Sequence, residues 1–159
     1  MRKFRRLGTM VTLCTLVATM MAVFSSPAHA ATNPYSRFSA CSNEFGGSWS
    51  DTSDGHRTLS TPSGAKGGDV YLLYNSATGY NCVVTIKTAY VGAPSFTNAG
   101  LLVDDGTGWH DDSGDFGYYA AVQWYARGKC VQYDGMIASP GGSPDTIAFG
   151  NRYTWGNCG

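Results

Sequence analysis

The sequence predicts an all-β, mostly antiparallel domain: a small disulfide-stapled sandwich or barrel of about five to eight short strands. Three observations lead there. Residues 80–90 alternate, with Cys82, Val84 and Ile86 on one face and Val83, Thr85 and Lys87 on the other. Period two with the polar side chains opposite the cysteine marks a half-buried strand. Turns recur along the chain, because 20 of the 129 residues beyond position 30 are glycine, over twice the usual share. The same stretch holds four cysteines, Cys41, Cys82, Cys130 and Cys158, an even set that reads as two disulfides in an exported chain.

Export is expected from residues 1–30. Arg2, Lys3, Arg5 and Arg6 precede an apolar run from Leu7 to Phe24, and Ala28-His29-Ala30 supplies a small-residue cleavage site. Basic, apolar and small in that order make a secretory signal peptide. Residues 31–40 have no clear period and read as a loose arm, leaving 41–159 as one disulfide-bonded β domain of single-domain length. Cleavage also removes Cys14 and four of the eleven basic residues. Seven then face eleven acids, a net charge of −4. A mildly acidic surface lacks the field that draws phosphate backbones or anionic lipids, so neither nucleic acid nor membrane is an expected partner.

Residues 41–68, rich in Ser, Gly, Asp and Thr, read as loop with one or two short strands. Val70–Tyr74 and residues 80–90 form a hairpin around Asn75-Ser76-Ala77-Thr78-Gly79, where Gly79 is free to take positive φ. Residues 91–98, with Gly92 and Pro94, read as loop; Gly100–Asp104 as a third strand; Trp109–Asp115 as a polar, acidic stretch after a turn. Tyr118–Ala126 carries Tyr, Val and Trp between glycines and reads as a strand, with Trp124 in the core. Gly128 then leads by hairpin logic into a fifth strand, Lys129–Tyr133. A loop over 139–144 precedes short closing segments at Thr146–Phe149 and Arg152–Trp155. Four cysteines allow three connectivities. Cys82 and Cys130 both sit early in strands that could lie side by side or face each other, which favours Cys82–Cys130 and leaves Cys41–Cys158. None of the four belongs to a C-x-x-C pair, which argues against zinc.

The segments Val70-Tyr71-Leu72-Leu73-Tyr74-Asn75-Ser76-Ala77-Thr78-Gly79, Asn81-Cys82-Val83-Val84-Thr85, Asp112-Ser113-Gly114-Asp115-Phe116 and Gly128-Lys129-Cys130-Val131 together resemble the spore-associated protein A family of filamentous actinobacteria. A cysteine near the C-terminus, Cys158, also matches, and the resemblance runs from about Gly68 to Cys158. It implies a small secreted protein of the spore or cell surface and carries over no catalytic residue.

Three kinds of site are open to weighing. His56 and His110 stand near serines and aspartates, but the chain has no G-x-S-x-G elbow, and its cysteines are expected to be paired rather than nucleophilic. No motif supports catalysis. Asp104, Asp105, Asp111, Asp112 and Asp115 cluster carboxylates as calcium prefers, though without EF-hand spacing; no other cofactor is implied. Trp109, between a turn and an acidic stretch, is the best candidate for an exposed contact, with His110 beside it. The expected function is that of a secreted, non-enzymatic spore- or cell-surface-associated protein. The alternative is an extracellular binding module for cell-wall carbohydrate or for a protein partner such as a protease. The expected partner is a spore-coat or cell-wall component.

Overall fold

A computed structural model describes residues 31–142 and 146–159. The signal peptide read over 1–30, and Ser143 and Pro144 of the loop, lie outside the described residues. Among the described residues one helix, α1 (Arg37–Phe45), precedes eight strands: β1 (Ser50–Ser60), β2 (Lys66–Asn75), β3 (Tyr80–Lys87), β4 (Ser95–Val103), β5 (Trp109–Phe116), β6 (Tyr119–Tyr125), β7 (Val131–Ile137) and β8 (Ala148–Gly156). Among the described residues no helix is long and apolar enough to cross a membrane.

The strands form one antiparallel sheet in the order β5-β4-β7-β8-β1-β2-β3-β6, curled so that β5 and β6 at its two ends pack together. The sheet is almost two. β1 and β8 share a single pairing, Ser60 with Phe149, so β1-β2-β3-β6 and β5-β4-β7-β8 act as half-sheets facing each other. Their inner faces bury Leu59, Val70, Leu72 and Val83 against Ala99, Leu101, Val131 and Ile137. Gly135 lets the halves approach closely, since a Cβ there would press on Thr85 and Val70.

Where backbone pairing ends, side chains bridge the halves. The Thr85 hydroxyl donates to Asn98 O (2.7 Å), and the Tyr133 hydroxyl donates to Asp54 O (2.9 Å). At the β5–β6 seam, Asp112 Oδ2 accepts from the Ala121 amide at 2.9 Å. Lys87 is fully buried; its Nζ donates to Ala93 O, Ser95 Oγ and Phe116 O, each at 2.8 Å. All three ammonium donors are thus used, and desolvation lowers its pKa while Asp115 partly restores it. The polar face of the alternating strand, Val83-Thr85-Lys87, therefore lines the interior. The opposite face, Cys82-Val84-Ile86, is buried too, beneath α1.

The β2–β3 hairpin forms as the sequence predicts, closing Asn75 on Tyr80 with Gly79 at φ 84°. Other expectations are corrected. The arm read over 31–40 turns into helix at Arg37: Ser36 and Ser39 exchange hydrogen bonds in a capping box, and Phe38, Cys41 and Phe45 share one face. β1, which starts nine residues beyond Cys41, is a long strand with one fully buried side chain, Leu59, and a register shift between Asp51 and His56. The acidic stretch after Gly108 is the edge strand β5, and β4 begins at Ser95, inside the expected loop. Gly128 closes no hairpin: β6 pairs with β3, whereas β7 pairs with β4 and β8 in the other half.

That crossover also overturns the expected disulfides. Cys41 bonds Cys82, fixing α1 to β3, and Cys130 bonds Cys158, fixing the start of β7 to the tail after β8. Cys82 faces outward under the helix, so it cannot reach the start of a strand in the opposite half. With sequence separations of 41 and 28, each bridge contributes about 4 kcal/mol on the chain-entropy estimate.

Two outcomes follow. Non-reducing proteolysis and mass spectrometry should recover a Cys41–Cys82 peptide pair and a Cys130–Cys158 pair, and a Cys82–Cys130 pair would refute this packing. Replacing Lys87 with Met strands three acceptors at the interior's end and should lower unfolding free energy by about 3 kcal/mol, read by denaturant titration.

Candidate functional site

The two half-sheets differ on their outer faces. On β2, β3 and β6 the outer side chains Leu73, Cys82, Val84 and Ala121 are covered by α1 and by Trp49. On β5-β4-β7-β8 no element among the described residues lies over the strands, and an open cleft of about 470 Å³ is set into the surface. That volume falls in the range of small-molecule sites, roughly 300–1,000 Å³.

Register builds the cleft. Asp111 on β5 and Asp134 on β7 both pair with Gly100 on β4, so a glycine separates two carboxylates across adjacent strands. One row along, Leu102 pairs with Trp109 and with Gln132; the other way, Asn98 pairs with Ser113 and with Met136. Gly100 forms the floor, since any Cβ there would collide with Asp134 Oδ1 and press on the Trp109 ring. Trp109 and Tyr153 form the walls, their ring centroids 5.8 Å apart and their planes at 79°. They are 43% and 49% exposed, so both rings offer free surface to a ligand.

Asp134 is 8% exposed, and Tyr153 donates its hydroxyl to Oδ2 at 2.9 Å. Burial pushes this carboxyl up; the Tyr153 bond opposes that and the charge of Asp111 adds to it. The Tyr153 hydroxyl is in turn pushed up to about 12 by burial and by Asp134. Asn98 contributes an Oδ1 that is buried without a hydrogen-bond partner.

Of the residues expected from the sequence, Trp109 and Asp111 meet in this cleft and the others do not. His110 points to the opposite face of β5. There its ring stacks on Trp124 at 3.6 Å and Nε2 lies 2.8 Å from Thr107 Oγ1. Trp124 is not core: it is 37% exposed at the seam and donates Nε1–H to Asp105 Oδ2. The proposed calcium ligands scatter. Asp104 and Asp105 stay in the turn, where Asp105 Oδ1 accepts from the Thr107 amide. Asp112 turns into the seam, its carboxyl raised by burial, while Asp111 and Asp115 point outward. Among the described residues no three acidic, His or Cys side chains gather where a metal could be held. His56 has an orienting carboxylate the sequence reading missed. Its Nε2 is 2.9 Å from Asp69 Oδ1 and its ring stacks on Tyr71, but no described hydroxyl bonds the ring. The cleft residues Gly100, Asp134 and Tyr153 were also missed. Only the register brings them together, across 53 residues of chain.

No family model matches the chain, and no solved structure matches it. Among curated proteins, spore-associated protein A of Streptomyces coelicolor is 39% identical over 97 residues, covering 58% of this chain and 54% of the relative. The chain thus spans about half the length of the curated relative it matches. The resemblance noted in the sequence is found again by direct comparison, and over those 97 residues the chain is similar to spore-associated protein A.

Proposed function

We propose that this protein is an exported, non-catalytic component of the spore or cell surface, and that it acts by adhesion to an envelope carbohydrate. The observation that carries this reading is the cleft on the β5-β4-β7-β8 half-sheet, where Trp109 and Tyr153, packed edge to face, share the lining with Gly100, carboxylates and amides. Aromatic faces stack on the apolar face of a sugar ring, while Asn98, Gln132 and Asp111 supply donors and acceptors for its hydroxyls. The cleft is shallow and spans four strands, which suits one unit of a polymer lying across the sheet. Two disulfides accord with an oxidising location, and the name of the relative accords with the spore. Adhesion needs no activated nucleophile, and among the described residues the best-oriented histidine, His56, is paired only with Asp69 and Tyr71.

The test is co-sedimentation with purified cell wall and spore coat. The wild-type chain should pellet, and Trp109→Ala should weaken retention at least tenfold, about 1.4 kcal/mol. Because Trp109 is exposed, its thermal midpoint should stay within about 3 °C of wild type. Undiminished retention of a folded Trp109→Ala protein would remove the cleft from the function.

A further inference from the structure

The cleft has a charge pattern that a neutral sugar leaves unanswered. Asp111 and Asp134 flank Gly100, and among the described residues no Lys, Arg or His lines the cleft. Neither carboxylate has an ion-pair partner among the described residues. Asp134 is more than nine-tenths buried, with Oδ2 occupied by the Tyr153 hydroxyl and Oδ1 leaning over Gly100. A buried carboxylate without a cation is costly, and a ligand that brings one recovers that cost. The aromatic rings favour the same sign: Trp109 and Tyr153 pack edge to face, both are largely exposed, and an exposed ring face is electron-rich and draws organic cations. A metal ion is disfavoured, because two carboxylates are too few oxygens.

Resting on the glycan reading of this cleft, we infer that its ligand is a hexosamine bearing a free amine, with the ammonium at Asp134 Oδ1 above Gly100 and the ring laid on Trp109. The Asn98 carboxamide, whose Oδ1 lacks a partner, and the Gln132 carboxamide then serve the hydroxyls. The openness of the cleft favours a sugar over a lysine side chain, which a narrow slot would grip better. Acetylation of the nitrogen removes the charge and adds bulk where Asp134 leans over the glycine.

Calorimetry with two probes tests this: a glucosamine tetramer and an N-acetylglucosamine tetramer, at low salt and at a pH that protonates the free amine. The glucosamine tetramer should bind at least tenfold more tightly. Asp134→Asn and Asp111→Asn should each reduce that preference several-fold, while Trp109→Ala weakens both probes alike. Asp111 is exposed, so its variant carries the test if Asp134→Asn fails to fold. Equal affinity for the two tetramers overturns the amine assignment and leaves the glycan reading standing. Silence from both probes, while wild-type protein still pellets with cell wall, also overturns it. Displacement of the glucosamine tetramer by a lysine-rich peptide at lower concentration reassigns the cleft to a protein amine. Failure of wild-type protein to pellet at all refutes the glycan reading itself.

Discussion

Between β5 and β6, and along most of β1 and β8, the ladder of main-chain hydrogen bonds stops and side chains take over. Everything else in the molecule is arranged around that handover. Lys87 spans from β3 to the start of β4 and the end of β5, Thr85 reaches β4, and Tyr133 reaches the β1 backbone. Each bond is worth little beside the apolar surface buried between the halves. Each is nevertheless obligatory, because its donor lies in or beside the interior and would otherwise go unpaired. A buried lysine at the end of a strand is thus a closing device.

The two outer faces show two solutions to the same problem. A sheet with apolar side chains on both sides needs a second cover, and α1, fixed by Cys41–Cys82, supplies it over β3 and β6. The other half-sheet mixes glycine, carboxylates and amides with Phe96, Leu102 and Met136 on its outer face, and among the described residues no element covers it. Trp109, Tyr153 and Phe96 are exposed aromatics on that face, and their exposure is what marks it as a surface for a partner.

How much of this was legible depended on whether a signal was local. The β2–β3 hairpin was, because alternation and turn chemistry sit within twenty residues. The helix was written in the sequence as well, with Ser36 before it, Gly46 after it and Phe38, Cys41 and Phe45 at helical spacing. Nine residues are too few for that period to stand out against a loop. β1 carries no period, since most of its side chains meet water and its register shifts midway. Trp124 looked like core by residue type, yet it is spent at the seam against His110. Trp109 could be singled out from its neighbours alone. Its site could not, because Gly100, Asp134 and Tyr153 meet it only through the pairing order of β4, β5, β7 and β8.

The placement of the two cystines has a consequence for how the protein responds to its surroundings. One joins helix to strand within the first half, the other joins the ends of neighbouring strands within the second. Neither crosses from one half to the other. A reductant therefore cuts no covalent tie between the halves: it frees a helix and a tail, and eases their parting only through the added freedom of the unfolded chain.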